Sequence, residues 1–219
     1  MIKCYCGGRG SSSSSGGRFG KGGGRGVQIL STTSLVSDRE RRPAEVDQAL
    51  TVARDILNQY GLEVDDLEIA TLGAKDQSVM AYYGADGKLA YNENYFDAQK
   101  MNGVYDATVN SGFHPSRGNK TGIEAVVSHE MGHALTDEIG KKIGLGSWQL
   151  DEVSDRVLKQ ASKNAGYKSA YKLASKVSGY ATDSKAEALA EAFADVYCNG
   201  SKASKESQAI VDVMNSYFK

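Results

Sequence analysis

Residues 129–133 read His129-Glu130-Met131-Gly132-His133, the pattern H-E-x-x-H, inside an apolar stretch running from Val126 to Leu135. No other segment ties fold to chemistry as tightly. On a helix, residues i and i+4 share a face, one turn apart. His129 and His133 would then aim two imidazoles at one point, as two ligands of a single Zn²⁺ require. Glu130 sits beside that point, where it can take a proton from zinc-activated water. Ile123, Val126, Val127, Met131, Ala134 and Leu135 supply the apolar positions that bury such a helix. Gly132 is a poor helix former; its missing side chain leaves room for a neighbouring backbone or for substrate. The chain has three His and two of them fall in this pattern, which weighs against a chance match on an amphipathic helix.

The composition narrows the remaining choices. A chain of 219 residues accommodates one domain comfortably. A formal net charge of −1 gives no general pull toward nucleic acid or anionic membranes. No apolar run approaches the length of a membrane span, so no membrane partner is expected. Met1-Ile2-Lys3 leads into Cys4, Tyr5, Cys6 and then Gly and Ser, with no hydrophobic segment, so no secretory signal is expected. The expected location is the cytoplasm or a virion. Three Cys, two of them near the N-terminus, argue against a disulfide framework. Cys4 and Cys6 are too close for a usual zinc knuckle, and Cys198 is expected to be a buried or half-buried thiol.

Residues 1–26 read as a disordered tail rich in Gly and Ser. Lys3, Arg9, Arg18, Lys21 and Arg25 make it basic, with no acidic residue. Aromatic stacking partners are few, so it reads as a tether rather than a nucleic-acid-binding arm. Residues 27–42 read as a linker and 43–219 as one domain. Pro43 suits the first position of a helix, and Val46, Ala49, Leu50, Ala53, Ile56 and Leu57 recur at three and four up to the stop at Gly61. The period then changes. Leu67 to Leu72 alternates as a half-buried strand does, and Val79–Tyr83 and Lys88–Tyr91 flank a Gly-Ala-Asp-Gly turn as a hairpin. Tyr95 and Phe96 extend its second arm. Residues 97–120 read as irregular, with His114 in a loop that could offer a further metal ligand but reads rather as a contact at the rim of the site or with solvent. The H-E-x-x-H helix is expected from about 121 to 139. Thr121-x-x-Glu124 forms a capping box at its start, and Gly140, Gly144 and Gly146 end it. Further helices follow from Trp148 to about Ala165 and from Ala170 to Val177. The fold class implied is α+β, with a small mixed or antiparallel sheet, an active-site helix and a following helical subdomain.

A catalytic zinc needs a third protein ligand. The extended pattern H-E-x-x-H-x-x-G-x-x-H is excluded, because Thr136 stands where Gly is required and Ile139 where His is required. A carboxylate on a later helix remains. Glu187, Glu191 and Asp195 recur at i, i+4 and i+8 beside Ala188, Leu189, Ala192, Phe193 and Val196. Three carboxylates on so apolar a helix are costly unless something positive meets them. Ser184-x-x-Glu187 is also a capping box, so Glu187 could serve an N-terminal amide instead, and Glu191 and Asp195 could be solvated. Spacing does not choose between Glu187 and Glu191.

The block Tyr180 to Phe193, some fifty residues after His133, resembles the second half of the zincin-like metallopeptidases related to anthrax toxin lethal factor, which include phage head-associated and prophage-encoded proteins. The resemblance covers roughly residues 100–200 and is strongest in the H-E-x-x-H and Tyr180–Phe193 blocks. Phe113-His114-Pro115 is similar to the loop that leads into the metal helix in phage members. Asp183-Ser184 departs from the usual Asn-Pro. The resemblance implies a zincin-like fold, Glu187 as third zinc ligand, Tyr180 as the active-site phenol and Glu191 as a carboxylate orienting a ligand His. It implies a zinc metallopeptidase acting on a peptide or protein, with Glu130 as general base, in a phage or prophage setting with possible phage particle partners. The competing expectations are a non-catalytic phage particle component with a vestigial or structural zinc site, and a nucleic-acid-binding module led by the tail. Glu130 is hard to explain in a purely structural site, since it ligates nothing.

Overall fold

Most of the helices begin at a capping side chain and carry apolar residues spaced three and four apart. The structure, a computed structural model, describes residues 43–62, 69–71, 80–83, 89–91, 95, 97–145 and 149–219. The tail, the linker and Trp148 lie outside the described residues. Helix α1, Pro43–Gln59, buries Val46, Ala49, Val52, Ala53, Ile56 and Leu57 along one face. Gly61 follows at φ 68°, in the left-handed region that closes helices.

The expected irregular segment 97–120 instead contains helix α2, Ala98–Asn110. Asp97 caps it, its side chain accepting from the Lys100 amide at 2.8 Å. Met101, Tyr105 and Thr108 are buried on one face. Gly103 in its middle and Gly112 after its end had masked this period.

Helix α3, Gly122–Lys142, carries the H-E-x-x-H residues. Its start is a complete capping box: Thr121 Oγ1 accepts from the Glu124 amide at 3.1 Å and Glu124 Oε2 accepts from the Thr121 amide at 2.7 Å. Gln48 on α1 donates to the same Thr121 hydroxyl at 3.1 Å, tying the two helices together. Every residue from Ala125 to Asp137 is buried, as expected of a helix surrounded on all sides. Gly144 follows its end at φ 76°, while Gly140 lies within it. A Cβ there would lie 3.2 Å from Val153 Cγ2, so this glycine serves a close helix contact.

Among the described residues the remaining helices are α4 (Leu150–Asn164), α5 (Ala170–Ala174), α6 (Lys185–Asn199) and α7 (Lys205–Ser216), with single helical turns at Tyr180–Thr182 and Gly200–Lys202. Helices α1, α2, α4, α6 and α7 all contact α3. Ile56, Ile123, Met131, Leu135, Leu158 and Leu189 are among the side chains fully enclosed there, each contributing about 1.5–3 kcal/mol by leaving water.

The expected α+β class is therefore overturned: the chain is helical. Among the described residues extended structure amounts to three strands of three residues each, β1 (Ile69–Thr71), β2 (Ala81–Tyr83) and β3 (Leu89–Tyr91). They lie in the order β1-β3-β2, with β1 parallel and β2 antiparallel to β3. In the hairpin Ala81 faces Tyr91 and Tyr83 faces Leu89. Strands this short cannot form the body of a core, and the buried apolar residues come overwhelmingly from the helices. Tyr95 is buried and is not in a strand, so it does not extend β3, and Phe96 lies outside the described residues. Helices α4, α6 and α7 pack directly onto α3 rather than standing apart as a subdomain, and α5 packs on α4. Among the described residues no helix is long and apolar enough to cross a membrane.

Candidate metal centre

Helices α3 and α6 cross at two small residues. A Cβ added at Gly132 would lie 2.8 Å from Ala190 Cα and 3.2 Å from Phe193 Cβ. The glycine thus admits a neighbouring backbone, the first of the two uses its sequence position allows. The crossing places Glu187, one turn before Ala190, opposite the two histidines one turn apart on α3. His129 Nε2 lies 3.1 Å from Glu187 Oε2 and His133 Nε2 lies 3.4 Å from the same oxygen. The second contact is within ion-pair range but is not aligned as a hydrogen bond. The imidazoles are 5.0 Å apart between centroids at 78°. One ligating atom from each of His129, His133 and Glu187 lies within 4.8 Å of the others, and all three residues are buried. Among the described residues no other group of His, Cys, Asp and Glu has this arrangement.

The donor set fits a zinc ion by residue type, two imidazoles and a carboxylate. A further observation of the structure supports the fit. Both ring nitrogens of His133 are buried without a hydrogen-bond partner. Buried polar atoms are normally satisfied, and leaving one unpaired costs about 1–3 kcal/mol. A cation between His133, His129 and Glu187 removes that cost at Nε2.

The three same-face carboxylates of α6 have three different environments. Glu187 faces the histidines; its own amide donates to Ser184 Oγ at 3.1 Å, so the cap is made without using the carboxylate. Burial alone would push the Glu187 carboxyl up, but the His133 and His129 imidazoles hold it down to about 2. Glu191 lies behind His129, not in solvent. Its Oε1 accepts from His129 Nδ1 at 2.8 Å and from His114 Nδ1 at 2.8 Å, while Oε2 accepts from Ser178 Oγ at 2.7 Å. Burial opposes ionisation there too, and the His114 and His129 donors hold the carboxyl at about 2. Asp195 also avoids solvent: it accepts from Asn199 Nδ2 at 2.9 Å and from the Ser204 amide at 3.0 Å, at the turn into α7. His129 feels both glutamates. Burial would lower its pKa, but Glu187 and Glu191 raise it well above the ordinary value.

Glu130 is fully buried on α3 beside the two histidines. Tyr180 is 3% exposed, and its ring stacks over that of His129 at 5.8 Å and 18° and over that of Phe113 at 4.9 Å and 29°. Two backbone hydrogen bonds hold it there, Gly179 N–H to Gly112 O and Tyr180 N–H to Phe113 O, each 2.9 Å. The structure therefore gathers Glu130, His129, His133, Tyr180, Glu187 and Glu191 into one buried region.

His114 departs from its expected place. It is 5% exposed and stacked on Tyr105 at 5.4 Å and 11°, with neither rim nor solvent contact as its main surroundings. Ser178 is the residue that sequence reasoning missed. A Ser-Gly pair two residues before Tyr180 carries no signal of its own. Comparison with protein family models, with curated proteins and with solved structures gave no match.

Proposed function

We propose that this chain is a zinc-dependent peptidase of the zincin-like kind. His129, His133 and Glu187 would hold Zn²⁺. The observation that carries the reading is the buried His133 imidazole, without a hydrogen-bond partner, facing His129 and Glu187 across a glycine crossing. When bound, zinc supplies Lewis-acid polarisation of a peptide carbonyl and of water. The chain's own residues do the rest. Glu130 accepts the proton of the attacking water and passes it to the leaving amine. Tyr180, held over His129 by the 112–113 backbone, donates a hydrogen bond to the carbonyl oxygen as negative charge develops on it. Glu191 holds His129 through Nδ1, leaving Nε2 for the metal. Burial keeps the region dry, which strengthens each of these interactions.

The substrate is a peptide or protein. The likeness of the two short blocks to phage head-associated peptidases supports a phage or prophage setting. The test is metal content of the purified chain together with peptidase activity of wild type and Glu130→Gln. The expected result is about one zinc per chain in both proteins and hydrolysis in the wild type alone. A well-folded wild type without zinc overturns the reading, and equal hydrolysis by the variant overturns the role given to Glu130.

A further inference from the structure

We infer that His114 is a positioning residue of this centre: it acts through Glu191 on His129 and fixes the loop that carries Tyr180. The inference rests on the metal-binding reading above. Glu191 is 1% exposed and receives three donors from three separate segments: His129 on α3, His114 before it in the chain, and Ser178 before Tyr180. An ionised carboxylate only accepts, so both imidazoles donate from Nδ1. A glutamate side chain held by one donor can still rotate. Held by three, its Oε1 is fixed in the plane that orients the His129 ring.

The surroundings of His114 argue against simple packing. Its Nε2 is buried without a hydrogen-bond partner, so an apolar ring would fit the same space without an orphaned nitrogen. The nitrogen that is used, Nδ1, is the one aimed at Glu191. The ring also stands edge-on to Tyr180 at 5.3 Å, and the residue just before it, Phe113, pairs with the Tyr180 backbone. Ser178 closes the loop, accepting from the Ala181 amide at 3.0 Å while donating to Glu191. One carboxylate therefore joins the orientation of a metal ligand to the placement of the active-site phenol, and His114 touches both.

The test compares zinc affinity of wild type, His114→Phe and His114→Asn by competition with a chromophoric chelator. Phe keeps the ring and its stack on Tyr105 but removes the donor. Asn removes the ring but carries an amide N–H near the place of Nδ1. The expected result is zinc binding about 10–100-fold weaker in His114→Phe, with most of the loss restored in His114→Asn. Wild-type affinity in folded His114→Phe overturns the inference and leaves the metal centre standing. Equal weakening in both variants also overturns it, because the ring would then matter and the donor would not. A wild type that binds no zinc overturns both. Should His114→Phe fail to fold, imidazole nitrogen resonances of the zinc-loaded wild type decide. A hydrogen-bonded Nδ1–H on both His114 and His129 is expected, and an Nε2–H tautomer at His114 overturns the inference.

Discussion

The first half of α6 and its last turn carry carboxylates on the same face at the same spacing, yet they do unlike things. Glu187 and Glu191 meet imidazoles, one on the open side of His129 and one behind it. Asp195 meets a backbone amide and an asparagine, and pins the start of α7. Spacing put all three on one face. What crosses that face decides their chemistry: α3 passes over the first half at Gly132, and the turn into α7 passes the last. Periodicity along one helix is blind to this difference.

The largest expected effect breaks the comparison at its site end. Glu187→Ala should lose zinc by more than the roughly 10–100-fold typical of an outer partner, measured by chelator competition. The same assay on Asp195→Ala should give wild-type affinity. Retention of zinc by Glu187→Ala, or its loss from Asp195→Ala, would make the two ends equivalent. Next comes Gly132→Ala. The added methyl meets the Ala190 backbone, so the helices must separate. Overpacking of this kind costs about 1–3 kcal/mol, more than the gain of up to about 1 kcal/mol in helix propensity. Denaturant unfolding should show a lower midpoint, and zinc should be held less tightly. At its far end Asp195→Ala should cost about 1–3 kcal/mol of stability through the Ser204 amide left without its acceptor, while Asn199 keeps its bond to Ser116 O, read as a lower melting temperature with the metal centre intact.

The smallest effect concerns pH and the metal-free chain. The Glu187 and Glu191 carboxyls lie at about 2, below the ordinary 4.5. The stability they contribute is complete above about 4.5 and is lost as pH falls through about 2. The His129 imidazole lies above its ordinary 6.5, so its contribution is complete below that value and is lost as pH rises through its folded value. Melting temperatures across pH should fall on the acid side in the wild type, and less steeply in Glu191→Gln. Because zinc must displace the His129 proton, its affinity should rise with pH through neutrality. An affinity flat in pH would mean that His129 is already neutral.

Local signals were legible in the sequence. The Thr121–Glu124 capping box, the apolar face of α1, the glycine stop after it and the H-E-x-x-H pair each depend on neighbours within one or two turns. The Ala81–Tyr83 and Leu89–Tyr91 hairpin was legible for the same reason. Helix α2 was not, because Gly103 and Gly112 obscured the spacing of Met101, Tyr105 and Thr108. The weight of the sheet was overread: alternation over the Tyr-rich segment indicates strands but not how much core they bury. His114 was misplaced because its partner, Glu191, is 77 positions away, and nothing near position 114 announces it.

The crossing of α3 and α6 has a consequence for how this chain tolerates change. Ala190, with Ala186 and Ala194 one turn to either side of it, gives α6 a face almost without rotamers, and Gly132 gives α3 none at that point. A seam made of backbone and methyl groups has no adjustable parts. Ordinary cores absorb a substitution by re-sorting side chains; here the only response is a rigid displacement of one helix against the other. Glu187 stands three residues from Ala190 and travels with it. Sequence drift along this seam would therefore register first as a shift in where the carboxylate stands against the two imidazoles, while the rest of the protein stayed folded.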